Sequence, residues 1–434
     1  KEARRRSSPG LKAGVCSAVV VAMKIERREF LELTVIGLAA LAVSGQVKKP
    51  ARPLPKGEYD YVDWSWEKWR KITRAARPRL TSEQAGKAEL IDLLDGNGKK
   101  ITSRQQWQTK REEIKKRLNV FLGEAPKSKP PLNAKILEST ERENHILRKL
   151  VYQTEPGEFV PSYLLVPKNL KRRAPVVLCP HQTTQAGKKE PAGLDGNPQL
   201  HMALRLVERG FVTFTYDALC FGERHDPASG HYGDAIPFYR KHPRWSLMGK
   251  MIWDLQRAID YLETLDFVDS QRIGNIGHSH GGYTTLFAMA FDERIKAGVS
   301  NCGFDTFRID GNTWRWSRAT ALLPLLGFYV SNPRLSMDFY RAVPDSSVVD
   351  VPFEMHELLA LVAPRPLLLS TSDEDFVFPN GGWSARRALA RIGPVYELLG
   401  ARENLSSFFF SGGHNFPREA SENAYNWLGH QLKT

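Results

Sequence analysis

The stretch Arg272–Gly282, RIGNIGHSHGG, decides the fold. It begins as a short apolar strand, continues as Gly-x-Ser-x-Gly, and leads into Tyr283–Phe291, a run that is typical of a helix. A serine on a sharp strand-to-helix turn is the pattern of a nucleophile elbow. Gly277 and Gly281 suit such a turn because a β-carbon would clash in so sharp a bend. The following helix points its partly positive amino-terminal end at Ser279, which favours developing negative charge there.

Continuous apolar strands alternate with helices around this stretch. The predicted strands, after a hairpin of His145–Tyr152 and Val160–Val166, are Ala174–Pro180, Phe211–Tyr216, Ile273–Gly277, Ile295–Cys302, Pro366–Ser372 and Ser407–Phe410. The other predicted helices are Leu200–Gly210, Leu247–Leu265, Trp383–Ile392 and Glu419–Leu432. Continuous apolar strands between helices are typical of a sheet buried on both faces. The sequence therefore predicts an α/β fold with a doubly wound, mostly parallel sheet.

The chain is predicted to contain four parts. Residues 1–22 are expected to lie upstream of the true start. Residues 23–44 resemble a twin-arginine export signal, because a twin arginine precedes an apolar run that is too short to span a bilayer and a small-residue cleavage site. They predict a periplasmic or secreted protein. Residues 45–134 are predicted to form a linker and an N-terminal helical extension, and residues 135–434 the catalytic domain.

Residues 304–357 interrupt the alternation of strands and helices. The segment is rich in Trp and Pro and lies between two predicted sheet strands. A segment of that length inside a compact domain is usually functional. Two interpretations stay open: surface helices with ordinary cores, or a lid over the site with wall residues Trp314, Trp316, Phe328 and Tyr329.

Charge and cysteine content limit the class of partner. The net charge is +14, but the basic residues are scattered and no nucleic-acid-binding motif is present, so no nucleic-acid partner is predicted. Four cysteines are too few for a disulfide scaffold. Cys179, Cys220 and Cys302 are predicted to be buried small apolar residues, with a Cys179–Cys220 bridge as the alternative. The sequence does not specify an oligomeric state.

A serine hydroxyl is a poor nucleophile unless a base removes its proton during attack. After Ser279 the chain offers Asp373 and Asp375 at the end of one predicted strand and His414 after the next. The carboxyl ends of parallel strands meet at one edge of a sheet, so these residues should converge on the serine. We predict Ser279 as nucleophile, His414 as base, and either Asp375 or Asp373 as the acid that orients the base.

An acyl-transfer site also needs N–H donors for the oxyanion. The backbone N–H of His280 is one predicted donor, and the loop after strand Ala174–Pro180 supplies the other from Gln182 or Thr183. No cofactor is predicted. No metal is predicted either: His278 and His280 lie two residues apart, but no carboxylate stands at ligand spacing and the elbow accounts for both.

The chain resembles bacterial esterases of the α/β-hydrolase fold. The resemblance rests on the order of elements, the elbow Gly277–Gly281, Ala363–Pro366 before the acid strand, and Gly412–His414, and it covers roughly residues 85–430. These features are similar to acetyl xylan esterases and dienelactone-hydrolase-like esterases, which share the chain order of serine, acid and histidine. The resemblance implies a serine carboxylic-ester hydrolase that forms an acyl-enzyme. The expected substrate is a small ester or an acylated polysaccharide, with removal of acetyl groups as the main interpretation.

The same resemblance bears on single residues. In family members the acid is commonly followed four residues later by proline, which favours Asp375, four residues before Pro379, over Asp373. His181 resembles the histidine that opens the oxyanion loop of esterases, which implies a position in the substrate pocket.

Two alternative functions stay open. Residues 93–123 are similar to the N-terminal region of polysaccharide esterases, including glucuronoyl esterases. Those enzymes carry Ser-Arg at the elbow, whereas His280 follows the serine here, and dienelactone hydrolases proper use cysteine in place of Ser279. A serine peptidase of the prolyl-oligopeptidase type shares the sheet and the triad. Such peptidases usually carry an N-terminal propeller, which about 90 residues ahead of the sheet cannot build.

Overall fold

The structure is a computed structural model, and it describes residues 66–96, 98–230, 232–310, 322–329 and 350–433. All of these residues belong to one structural unit of the chain, 52–434. The predicted signal peptide, residues 23–44, lies outside the described residues, and so do Trp314 and Trp316. The predictions made for them stay predictions.

The described strands form one large sheet. The exception is a small antiparallel ribbon of two two-residue strands, Asp95–Gly96 and Lys99–Lys100. The nine strands are β1 Lys135–Glu141, β2 His145–Glu155, β3 Glu158–Pro167, β4 Ala174–Leu178, β5 Val212–Tyr216, β6 Val268–His278, β7 Ile295–Asn301, β8 Leu367–Ser372 and β9 Leu405–Phe410. Their order across the sheet is β9-β8-β7-β6-β4-β5-β3-β2-β1. Neighbours among β4 to β9 are parallel, whereas β1, β2, β3 and β5 pair antiparallel in sequence order. The mostly parallel sheet is confirmed.

Helices pack on both faces of the sheet. The described α-helices are α1 Trp66–Thr73, α2 Arg104–Leu122, α3 Met202–Val207, α4 Ala235–Lys241, α5 Leu247–Leu262, α6 His280–Phe291, α7 Phe307–Asp310, α8 Met355–Ala360, α9 Gly381–Leu398 and α10 Arg418–Lys433. Along β4, Val176 and Leu178 join one apolar cluster with α5, α6 and α9, while Val177 joins a second with α3 and α10. This alternation confirms the doubly wound arrangement. Within the described part of the chain, we find no helix with the length and apolar character needed to cross a membrane.

The structure differs from the predicted elements in several places, among them helix α4, which was not predicted. Strand β1 was not predicted, because it is an edge strand whose residues are mostly exposed and show no apolar pattern. Helix α9 continues through Pro394 to Leu398, six residues past its predicted end. In the part of the predicted N-terminal helical extension that the structure describes, the helices are α1 and α2, and the chain between them is irregular apart from the short ribbon at 95–100.

The N-terminal extension packs into the core of the sheet domain. Trp69 of α1 and Trp107 and Phe121 of α2 are buried in the same apolar cluster as the strands. Helix α2 begins with a capping box in which Ser103 and Gln106 satisfy each other's backbone N–H groups. Burial of three large aromatic side chains stabilises this junction by several kcal/mol, at roughly 1.5–3 kcal/mol per side chain.

The described parts of segment 304–357 also pack into this core. Arg308 of α7 pairs with Glu354 at 3.2 Å and donates to the carbonyl oxygens of Gln84, Lys87, Val351 and Phe353. Its guanidinium thereby ties the segment to the N-terminal extension. The rings of Phe328 and Tyr329, predicted as wall residues, lie 5.9 Å from Trp69 and 5.8 Å from Phe121 of that extension.

His356 in α8 is completely buried. Burial lowers the pKa of His356 from 6.5 to about 3; a backbone hydrogen bond with Ile91 opposes this effect and the charge of Arg308 reinforces it. Below pH 6.5 the unfolded chain therefore binds a proton at this residue that the folded chain does not. The contribution of neutral His356 to stability is complete above pH 6.5. As the pH falls from 6.5 towards 3, this residue lowers the free energy of unfolding by about 1.4 kcal/mol per pH unit.

We expect His356→Leu to lose less stability in acid than the wild type, because leucine has a similar volume and no charge to bury. Between pH 6.5 and 4 the wild type should lose about 3 kcal/mol more of its free energy of unfolding than the variant does. Urea unfolding at pH 7, 6, 5 and 4 measures it. The matched control is His430→Leu at an exposed position of α10, which removes an imidazole that is not buried. Parallel slopes for His356→Leu and the wild type would contradict the prediction.

Candidate active site

Ser279 lies at the junction of β6 and α6 in a backbone conformation that non-glycine residues rarely adopt. Its φ is 54° and its ψ is −119°. Two backbone hydrogen bonds hold this conformation: the Ser279 N–H donates to the Asn301 carbonyl, and the Ser279 carbonyl accepts from the Tyr283 N–H, both at 2.9 Å. A strained residue fixed between a strand end and a helix start is the geometry of a nucleophile elbow.

The elbow requires glycine at two positions. A β-carbon on Gly277 would stand 2.1 Å from the carbonyl carbon of Gly281, so the strand and the helix cannot close on each other with a larger residue. A β-carbon on Gly281 would stand 2.2 Å from the carbonyl oxygen of Pro180. The loop after β4 therefore lies directly against the first turn of α6.

The structure places His414 beside Asp375. The Nδ1 atom of His414 is 2.8 Å from Oδ2 of Asp375, and the other carboxylate oxygen accepts the N–H groups of Val377 and Phe378 at 2.8 and 3.0 Å. Burial alone would raise the pKa of Asp375. The charge and hydrogen bond of His414 and the two N–H donors outweigh burial and lower that pKa. Because an ionised carboxylate only accepts hydrogen bonds, Nδ1 of His414 is the donor in this pair, and in the neutral ring Nε2 is then an acceptor.

Asp373 lies outside this arrangement. Its side chain is 43% exposed, and its two oxygens accept from Arg386 at 2.6 and 2.9 Å. The hydrogen bond from Arg386 is the main reason why the pKa of Asp373 is lowered. Of the two predicted carboxylates, only Asp375 contacts His414.

Asn301 connects the elbow to the loop of His414, and sequence reasoning did not identify it. Its carbonyl accepts from Ser279, as noted above. Its side-chain amide donates to the Asn415 carbonyl at 2.9 Å and to Nδ1 of His278 at 2.7 Å. Its side-chain oxygen accepts from Ser370 of β8 at 2.8 Å. The available signal was its position as the last residue of a buried strand, where the other candidate residues also lie.

The loop after β4 is held by His181. This buried ring donates from Nδ1 to the Gln182 carbonyl at 2.5 Å and accepts the Ala218 N–H on Nε2 at 3.1 Å, which defines a neutral tautomer. Burial lowers the pKa of His181, in agreement with that state. Within the described part of the chain, neither the Gln182 N–H nor the Thr183 N–H donates to another residue. Both stay candidates for the oxyanion donor.

A buried ion pair fixes the far end of the same loop. Lys188 and Asp217 are at most 1% exposed, and the ammonium lies 2.6 Å from the carboxylate. Asp217 also accepts the backbone N–H groups of Lys188 and Glu223 at 2.8 and 2.9 Å. The loop after β4 is thereby tied to the chain that follows β5, so the N–H groups of Gln182 and Thr183 belong to a rigid segment.

The sheet order, the elbow at the end of β6 and the side chains at the ends of β8 and β9 define the class of protein: the chain has the α/β-hydrolase fold. A family model described as "Glucuronyl esterase, fungi" matches residues 194–400. A glucuronoyl esterase structure from Solibacter usitatus is similar with a TM-score of 0.61 and 20% identity, covering 82% of this chain and 99% of that one.

Curated relatives agree with this classification. A Bacillus subtilis protein, YtaP, whose name describes a hydrolase, is 28% identical over 276 residues, 63% of this chain and 84% of the relative. A 4-O-methyl-glucuronoyl methylesterase of Phanerochaete carnosa is 28% identical over 220 residues, 48% of this chain and 51% of the relative. The chain thus spans about half the length of that methylesterase. The protein is a carboxylic ester hydrolase of the α/β-hydrolase superfamily.

We expect Gly281→Ala to lower kcat/KM for p-nitrophenyl acetate by about 100-fold or more. The new methyl group must push the Pro180 carbonyl away, and a displacement of about 1 Å in a catalytic site can cost 10²-fold. The matched control is Gly429→Ala in α10, where the added methyl group meets nothing within 4 Å and kcat/KM should not change. Wild-type kcat/KM in Gly281→Ala would show that the close approach is dispensable.

Proposed function

We propose that the protein is a serine esterase in which Ser279, His414 and Asp375 form the catalytic triad. Nε2 of His414 removes the proton from Ser279 as its oxygen attacks the ester carbonyl carbon. Asp375 holds the Nδ1–H of His414 and stabilises the imidazolium that forms. The backbone N–H groups of His280 and of Gln182 or Thr183 stabilise the oxyanion.

The two half-reactions use the same proton carrier. When the tetrahedral intermediate collapses, His414 gives its proton to the departing alcohol and Ser279 stays acylated. Water then attacks the acyl-enzyme, and His414 takes a proton from it and returns one to Ser279 as the acid leaves. The observation that supports these roles is the 2.8 Å hydrogen bond between His414 and Asp375, on a loop that Asn301 ties to the elbow.

We further propose that the substrate is a carbohydrate ester of the glucuronoyl type, in which a uronic acid supplies the acyl group. The sequence predicts removal of acetyl groups, with hydrolysis of a glucuronoyl ester as the alternative, and the relatives favour the alternative. The observation that carries this proposal is that the glucuronyl esterase family match, residues 194–400, includes Ser279 and Asp375. Several of the curated relatives are glucuronoyl methylesterases.

One residue departs from the glucuronoyl esterase pattern. His280 stands where those enzymes carry arginine, and its buried ring lies 5.3 Å from Phe221 and 6.2 Å from His181. At this position the chain has a buried ring packed against other rings, whereas the arginine of glucuronoyl esterases places a permanent positive charge next to the oxyanion. The proposed oxyanion hole therefore relies on backbone N–H groups.

We expect Asp375→Asn to lower kcat for p-nitrophenyl acetate by about 10³- to 10⁴-fold, because the amide no longer holds the correct tautomer of His414. Ser279→Ala should lower it at least as far. The matched control is Asp373→Asn, which breaks only an exposed ion pair worth roughly 0.2–1 kcal/mol and should change kcat less than about fivefold. Equal loss in both aspartate variants, or full activity in Ser279→Ala, would end the triad assignment.

The substrate class is tested by comparing three esters. The methyl ester of 4-O-methyl-glucuronic acid should be hydrolysed with a kcat/KM at least about tenfold above that for acetylated xylan, which corresponds to about 1.4 kcal/mol of transition-state binding. p-Nitrophenyl acetate reports that the triad works, whichever natural ester is preferred. Faster release of acetate from xylan than of methanol from the uronic ester would favour the acetyl interpretation.

A further inference from the structure

Cys302 lies at the end of β7, directly beside the pair formed by Asp375 and His414. One ligand atom from each of the three residues, a thiol sulfur, a carboxylate oxygen and an imidazole nitrogen, lies within 4.8 Å of the others. Cys302 and Asp375 are 1% and 3% exposed. The thiol also lies 3.7 Å from the carbonyl oxygen of Asn415, the residue that follows His414 in its loop.

We propose that Cys302, Asp375 and His414 form an inhibitory binding site for a thiophilic divalent cation such as Zn²⁺. A thiolate, an imidazole and a carboxylate are the ligand types that zinc prefers in proteins. With zinc bonds of about 2.0–2.3 Å, the ligand atoms of a tetrahedral site are roughly 3.5 Å apart. The three groups therefore need to move by only about 1 Å to bind the ion.

Charge balance also favours a divalent cation. Metal binding displaces the thiol proton of Cys302 to solvent, and the thiolate and the Asp375 carboxylate then supply two negative charges. A divalent ion leaves this buried site neutral, which avoids the cost of burying net charge. A water molecule can complete the four-coordinate shell.

The proposed consequence is loss of esterase activity, and this part rests on the proposed function. The ion binds Nδ1 of His414, the atom that donates a hydrogen bond to Asp375 when no ion is bound. The ring then carries its proton on Nε2, so Nε2 cannot accept a proton from Ser279. This site uses neither His278 nor His280, the pair for which no metal was predicted from sequence. Its ligands come from three strand ends, so local spacing could not reveal it.

The binding test uses cobalt, because a cobalt–thiolate bond gives a charge-transfer absorption that needs no catalysis. Metal-free wild type titrated with Co²⁺ should develop this band in the near ultraviolet, saturating at one ion per chain. Cys302→Ala should lack it, because the band needs the thiolate, and in the wild type Zn²⁺ should abolish the band by competing for the same ligands. The matched control is Cys179→Ala, which removes another fully buried thiol and should keep the band.

Esterase measurements form a separate arm. Zn²⁺ should inhibit hydrolysis of p-nitrophenyl acetate by the wild type and by Cys179→Ala, and a chelator should reverse the inhibition. For Cys302→Ala, the same Zn²⁺ concentrations should leave most of the variant's own metal-free rate. If Cys302→Ala does not fold, Cys302→Ser serves, because a hydroxyl is a poor zinc ligand at neutral pH.

The outcomes separate the two proposals. A band that is absent from the wild type, or that persists in Cys302→Ala, overturns the metal site regardless of activity. A cobalt band in a protein whose Ser279→Ala variant keeps full activity would retain the metal site and reject the triad. Equal zinc inhibition in wild type and Cys302→Ala would overturn the inhibitory role of the site.

Discussion

The rest of the site depends on one constraint: Ser279 must stay in a strained turn between β6 and α6. A non-glycine residue in such a conformation costs of order 1–3 kcal/mol and persists only where its surroundings fix it. Here the surroundings are two backbone hydrogen bonds and the contact of Gly281 with the Pro180 carbonyl. That contact also fixes the loop after β4. The close contact between Gly281 and the Pro180 carbonyl therefore sets both the position of the Ser279 hydroxyl and the position of the proposed oxyanion donors.

The sheet order explains why the other groups lie at the same edge of the sheet as this serine. Strand β6 lies between β4 and β7, and β8 and β9 follow on the side of β7. Parallel strands end at the same edge, so His181, Asn301, Asp375 and His414 come from successive strand ends. Asn301 then links three of these segments by hydrogen bonds between 2.7 and 2.9 Å. Buried polar groups that are all satisfied in this way rigidify a site before substrate binds.

Residues whose signals are local could be predicted as site residues from the sequence. Ser279 carries a five-residue motif, and Asp375 and His414 follow apolar runs that are recognisable strands, so both the parallel sheet and these side chains could be predicted. Asn301 and Cys302 carry no motif of their own. Their importance comes from contacts with residues 69 to 114 positions away, which only the folded sheet order brings together. The choice between Gln182 and Thr183 stays open because two adjacent N–H groups on one loop have equivalent surroundings.

Two parts of the chain outside the sheet, the N-terminal extension and the segment after β7, are joined to each other. Arg308 links the segment after β7 to backbone carbonyls more than 200 positions earlier in the N-terminal extension. Its partner Glu354 is fully buried, and removal of one member of a buried pair typically costs 3–5 kcal/mol. The N-terminal extension therefore supports the segment that follows β7. Because the sheet and elbow are compatible with many esters, we expect substrate preference to be set by this supported segment and by the residue at position 280.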